Sequence, residues 1–148
     1  MISCKDVANY FLSLTDEDSG ELISNLRLQK LVYYAQGFHL AIFDTPLFPE
    51  NIEAWTYGPV IPNLYHEYKD YGQRSIPAPE DFDVSKYDSQ TKDLLDEVYN
   101  VFGQFSAWKL ADMTHQEPPF VMAHKVGQGT SISLESMKKY FETLVEME

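Results

Sequence analysis

At 148 residues the chain has the length of one ordinary domain, long enough to fold without a disulfide or metal staple. Its 44% hydrophobic and 23% charged residues fit a globular protein and argue against a disordered one. The 11 basic and 23 acidic residues give a net charge of −12, which repels phosphate backbones and argues against nucleic-acid binding.

Met1–Asp6 lacks the apolar run of a secretory signal. The sole cysteine, Cys4, excludes an internal disulfide and fits a reducing compartment. No stretch approaches the roughly 20 apolar residues of a membrane span. The expected location is therefore the cytoplasm, with no membrane partner.

Ser3 followed by Asp6 reads as a capping box. Val7, Tyr10, Phe11 and Leu14 follow at helical spacing, so a first helix is predicted to end near Thr15, before an acidic turn over 16–20. Ser24 caps the next helix. Leu28, Leu31, Val32, Ala35, Phe38 and Ile42 form its main stripe, and Tyr33, Tyr34, Gly37, Leu40 and Ala41 fill most of the other face. A helix apolar nearly all round is a buried one, which places residues 25–42 at the centre of the fold. Gly37 costs that helix about 1 kcal/mol against Ala, so a close helix–helix approach is predicted there.

Ile52–Tyr57 alternates and reads as a short strand ended by Gly58-Pro59. Pro62 opens a helix carrying Leu64, Tyr65, Tyr68 and Tyr71 on one side, closed by Gly72. Residues 73–88 read as a long loop, mobile or functional, with a second short strand near Ser75–Ile76. Asp88 or Ser89 caps a helix bearing Leu94, Leu95, Val98, Val101, Phe102 and Phe105. Seven acids against two lysines over 80–97 make the strongest local acid surplus. Ser106 caps a short helix to Met113, and Thr114–Pro119 breaks it. Phe120–Val126 adds a turn or two, closed by Gly127 and Gly129. The last helix starts near Ser133, with Leu134, Met137, Phe141, Leu144 and Val145 inward. Glu135–Lys139 and Lys138–Glu142 are placed to pair outside. The expected fold is mainly α: one domain over 1–148, a compact orthogonal bundle of six or seven helices around a central buried helix, with at most a small β-hairpin.

The four histidines, His39, His66, His115 and His124, form no zinc pattern, and no nucleophile or phosphate-binding motif is present. His39 reads as a satisfied core residue and His66 as solvated. No catalytic, cofactor or metal site is predicted. One polar and aromatic cluster stands out: Gln29 and Lys30 near the start of the buried helix, Glu53, Trp55 and Tyr57 on the predicted strand, and Thr114, His115, Gln116 and Glu117 after a helix end. Buried charges need partners, so these groups are expected to satisfy one another and pin loops, or to form a binding site.

Leu26–Gly37, read L-R-L-Q-K-L-V-Y-Y-A-Q-G, resembles the first signature block of the Panacea domain, the SocA-like antitoxin family. Pro46–Phe48 with Ile52–Pro62 resembles its second block, and Thr114–Glu117 with Pro119 its third. Phe120 stands where the family usually has Trp. Gln29, Lys30, Tyr33, Tyr34, Glu53, Trp55, Tyr57, Gly58, Pro59, Thr114, His115 and Glu117 are the motif positions, structural or partner-binding. The resemblance implies a bacterial or phage-borne antitoxin that neutralises a toxin, encoded next to it, by direct contact. The acidic exterior and the long loop would be the recognition region. It also implies two other readings, an adaptor delivering a client to a AAA+ protease such as ClpXP and a kinship with GepA-like proteins of mobile elements. A hydrolase using His115 with Glu53 or Glu117 is the enzymatic alternative.

Overall fold

The computed structural model describes residues 1–15 and 22–146. The predicted acidic turn over 16–20 lies outside the described residues. Among those described are seven α-helices and a three-stranded antiparallel sheet. The helices are α1 (Cys4–Ser13), α2 (Asn25–Phe43), α3 (Pro62–Tyr68), α4 (Ser89–Phe102), α5 (Ala107–His115), α6 (Pro118–Val126) and α7 (Leu134–Glu146). The strands are β1 (Glu53–Trp55), β2 (Gly58–Val60) and β3 (Thr130–Ser131), in the order β2-β1-β3. No helix of the described residues is long and apolar enough to cross a membrane.

The helix starts follow side-chain chemistry. Ser3 and Asp6 form a reciprocal capping box, and Ser24, Asp88 and Ser106 each accept a first-turn N–H. α2 is the hub. Its Leu28, Leu31, Val32, Tyr33, Tyr34 and Ala35 are fully buried, and α1, α4, α5 and α7 pack around it. The close approach predicted at Gly37 is real. A Cβ there would lie 2.2 Å from the Phe141 ring of α7, so only glycine lets the two axes come so near. Phe141 sits edge-on to Tyr33, Tyr34 and Phe38, and Tyr34 stacks on Phe102 of α4 at 4.0 Å. This aromatic cage fills the middle of the molecule.

Several expectations are corrected. Gly58-Pro59 does not end a strand. Gly58, at φ +114°, leaves a two-residue turn and opens β2, where Pro59 occupies an edge strand that needs no N–H. β3 was not predicted, because a two-residue strand has no periodicity; it pairs with β1 through Glu53↔Ser131 and Ala54↔Thr130. Ser75 makes only an isolated bridge to Ser24. α3 stops at Tyr68 and continues as a 3₁₀ turn, Lys69–Tyr71, which Gly72 closes. His39 is half-buried rather than in the core, with Nδ1 2.6 Å from the Thr45 carbonyl. Val101 and Leu134, placed inward by periodicity, are exposed. Lys138 pairs with Asp44, at the left-handed C-cap of α2, instead of with Glu142.

The 73–88 segment is anchored at both ends. Ile76 is buried and its N–H donates to the Ile23 carbonyl at 2.9 Å. Tyr87 donates to the Asp6 carbonyl and Lys86 pairs with the Asp6 carboxylate.

Candidate functional site

The motif residues divide into two networks, one turn apart along the same face of α2, and both hold loops. The first is centred on Gln29 and Lys30. Gln29 accepts the Ile61 N–H at 2.9 Å and donates to Asn25 Oδ1 at 2.9 Å, while Asn25 donates to the Tyr65 carbonyl. Lys30 is completely buried and its Nζ donates to the Pro59 carbonyl at 3.1 Å. The open edge of β2 is therefore closed by α2 side chains. Burial without an acidic partner lowers the Lys30 amine to about 7, which favours its neutral form. Gly58 lies directly over it. A Cβ there would come within 2.7 Å of Lys30 Cε and 2.8 Å of Thr114 Oγ1, on top of its positive φ.

The second network is centred on Glu117. Its carboxylate accepts from the Tyr33 hydroxyl at 2.9 Å and from the Tyr34 hydroxyl at 2.7 Å. Glu117 is the N-cap residue of α6, but its side chain makes no cap bond and points to α2 instead. Pro118 follows at the first helical position, where a missing N–H costs nothing. Burial pushes the Glu117 carboxyl up to about 7, against the two tyrosine hydrogen bonds that favour its charged form. Burial first, then the Glu117 charge, holds both tyrosine hydroxyls above their ordinary range.

His115 joins the sheet turn to α5. Its Nδ1 is 2.6 Å from the Ala111 carbonyl and its Nε2 2.8 Å from the Thr56 carbonyl. Trp55 donates its indole N–H to Glu53 at 2.9 Å and lies edge-on to Tyr65. Among the described residues no ion pair links Lys30 to an acid, so the cluster does not join up as one charge network. The proposed hydrolytic dyad is absent from this arrangement. Both His115 nitrogens face backbone carbonyls, Glu53 holds Trp55 and Glu117 holds the tyrosines. No group of three or more metal-ligating side chains is present among the described residues.

These bonds fix the Thr56-Tyr57 turn from beneath and leave Tyr57 outside. Tyr57 is 56% exposed and sits edge-on to Trp108, 58% exposed, with ring centres 5.4 Å apart. The pair borders an open cleft of about 430 Å³, with Trp55 and Tyr65 on one wall and Asn25 and Gln29 at its polar base.

Three contributors were not read from the sequence. Trp108 has no cue beyond its place in the first turn of α5. Gln36, buried, donates to the Phe48 carbonyl and accepts the Leu47 N–H, pinning Pro46–Phe48. Its signal is an amide inside the helix read as buried. Arg27 fastens the end of α4 through the carbonyls of Gly103 and Phe105.

The profile of the family described as "Antitoxin SocA-like, Panacea domain" matches residues 28–120, well over half of the chain and including Gln29, Lys30 and Glu117 at the centres of both networks. The chain is also similar to Antitoxin SocA of Caulobacter vibrioides (strain NA1000 / CB15N), 30% identical over 131 residues. That alignment covers 76% of this chain and 65% of the relative, so the chain spans slightly less than two thirds of that protein. No solved structure matches it. By its sequence match across the buried hub, the sheet turn and the Glu117 cap, the chain belongs to the SocA-like antitoxin family and carries its Panacea domain.

Proposed function

We propose that this protein is an antitoxin that neutralises a cognate toxin by direct protein–protein contact, without catalysis, through the face bearing Tyr57 and Trp108. The observation that carries this reading is that exposed pair. Two large aromatics, each more than half in solvent, lie edge to face, Tyr57 on a turn held from below by His115 and by the Lys30 bond to the Pro59 carbonyl and Trp108 on α5 beside it. Trp and Tyr dominate the binding energy of protein interfaces, and a pre-ordered turn costs little entropy on association. Membership of an antitoxin family supports the same reading. The net charge of −12 adds long-range attraction for a basic toxin. The toxin is expected to be encoded beside this gene and to meet its antitoxin in the cytoplasm.

The test is to express the neighbouring open reading frame alone and together with this protein. Growth arrest by the neighbour, relief by co-expression and copurification of the two chains are the expected results. A neighbour that is harmless alone, or that stays toxic and unbound, would overturn the proposal.

A further inference from the structure

A second surface shares no residue with the aromatic cleft. Where α2, α4 and α7 diverge they leave a groove of about 330 Å³. Phe38 and Ile42 of α2, Val98 and Val101 of α4, and Leu144 and Val145 of α7 form its walls. The stripe on α4 runs Leu94, Val98, Val101, Phe102, at the three- and four-residue spacing that faces one side of a helix. Leu94 and Val98 are buried by the core, but Val101 is 38% exposed and Ile42, across the groove, is 49% exposed. The apolar stripe thus extends past what the core covers.

The charge lining this groove is acidic. Among the described residues Glu97 is the one charged residue lining it. Asp93, one turn earlier on α4, is also exposed, and both belong to the acid-rich stretch over 80–97. At the C-terminal end of α2, Lys138 is already held by Asp44. An apolar floor with an acidic border selects an apolar ligand that carries positive charge. A second copy of this chain, at −12, has the wrong sign, and so has an anionic lipid surface.

We infer that this groove docks an amphipathic helix of another protein, with apolar anchors between Ile42 and Val101 and a basic flank along Asp93 and Glu97. The surface stands whether or not the Tyr57–Trp108 face binds a toxin.

The test uses the full chain and a fluorescent synthetic helix built from Leu and Lys at amphipathic spacing, with its Leu/Glu counterpart as control. The Leu/Lys peptide is expected to bind and to shift the methyl resonances of Ile42, Val101 and Val145 in the wild-type protein, whereas the Leu/Glu peptide does neither. Ile42→Asp and Val101→Asp, each at a partly exposed position, are expected to weaken binding by about tenfold or more. Glu97→Lys is expected to weaken it several-fold, and Glu80→Lys, the same charge change on the exposed loop, much less. Trp108→Ala is expected to leave it unchanged. Circular dichroism identifies any variant that fails to fold, and the wild-type methyl shifts keep the test decisive in that case. The inference is overturned if the peptide does not bind, if the Leu/Glu peptide binds equally, if the shifts fall elsewhere, if Val101→Asp folds and binds normally, if Glu80→Lys matches Glu97→Lys, or if Trp108→Ala abolishes binding.

Discussion

The two halves of α2 are fixed by different physics. Its first half carries Gln29, Lys30, Tyr33, Tyr34 and Gln36, and joins its neighbours through buried hydrogen bonds to the sheet edge, the Pro46–Phe48 loop and Glu117. Its second half, from Gly37 to Ile42, is mostly apolar and joins α4 and α7 through aromatic packing. Apolar burial is proportional to area and tolerates imperfect direction, so both halves supply stability, the first through Leu28, Leu31, Val32 and Ala35 and the second through Leu40 and the close packing of Gly37 on Phe141. Hydrogen bonds are directional and costly to leave unmade, so the first half sets the positions of loops. The hub is thus packed along its length, and its first half in addition sets the loops used for recognition.

That contrast can be broken by substitution. The largest effect is expected at the packed half, where Phe141→Ala removes the ring that fills the cage against Gly37. It should cost about 3–5 kcal/mol in chemical denaturation. A loss below about 1 kcal/mol would mean that the cage is not the stabilising centre.

At the polar half, Glu117→Ala leaves the Tyr33 and Tyr34 hydroxyls without their acceptor. It should cost about 2 kcal/mol in the same assay. Lys30→Met should change stability by about 1 kcal/mol or less, because removing a desolvated charge offsets the lost bond to the Pro59 carbonyl.

The same two residues give opposite pH dependences. Burial raises Glu117 from 4.5 to about 7, so between those values the folded protein keeps a proton that the unfolded chain releases, and stability falls as pH rises. Burial lowers Lys30 from 10.5 to about 7, so above about 7 the unfolded chain keeps a proton that the folded protein has lost, and stability rises with pH. In melting temperature against pH, Glu117→Gln should flatten the falling limb and Lys30→Met the rising one. Profiles parallel to wild type would contradict the assigned burial effects.

The smallest effect on stability belongs to the exposed aromatics. Tyr57→Ala and Trp108→Ala should each stay within about 0.5 kcal/mol of wild type, since neither ring is part of the core.

The helices were legible because their signals are local. Ser3, Ser24, Asp88 and Ser106 announce starts, and apolar residues recur at helical spacing. The strands were legible only in part. β3 is held by a distant partner, β1, with the Ile132 N–H on the Ile52 carbonyl beside it, and such a pair leaves no pattern in a two-residue strand. The identities of the cluster residues were visible, but their partners were not. The Lys30 acceptor is the backbone of Pro59, and a carbonyl has no letter in the sequence. Leu134 and Val101 follow helical periodicity yet lie outside, because periodicity gives a face and not how far the neighbours extend over it.

The central claim is that the buried polar networks position the turn while recognition lies in the two aromatics above it. The most direct test is the affinity of the Tyr57→Ala/Trp108→Ala double variant for the neighbouring gene product, measured by calorimetry beside its melting temperature. Unchanged melting with affinity weakened by about 100-fold or more is the predicted result. Wild-type affinity in a folded double variant would contradict it.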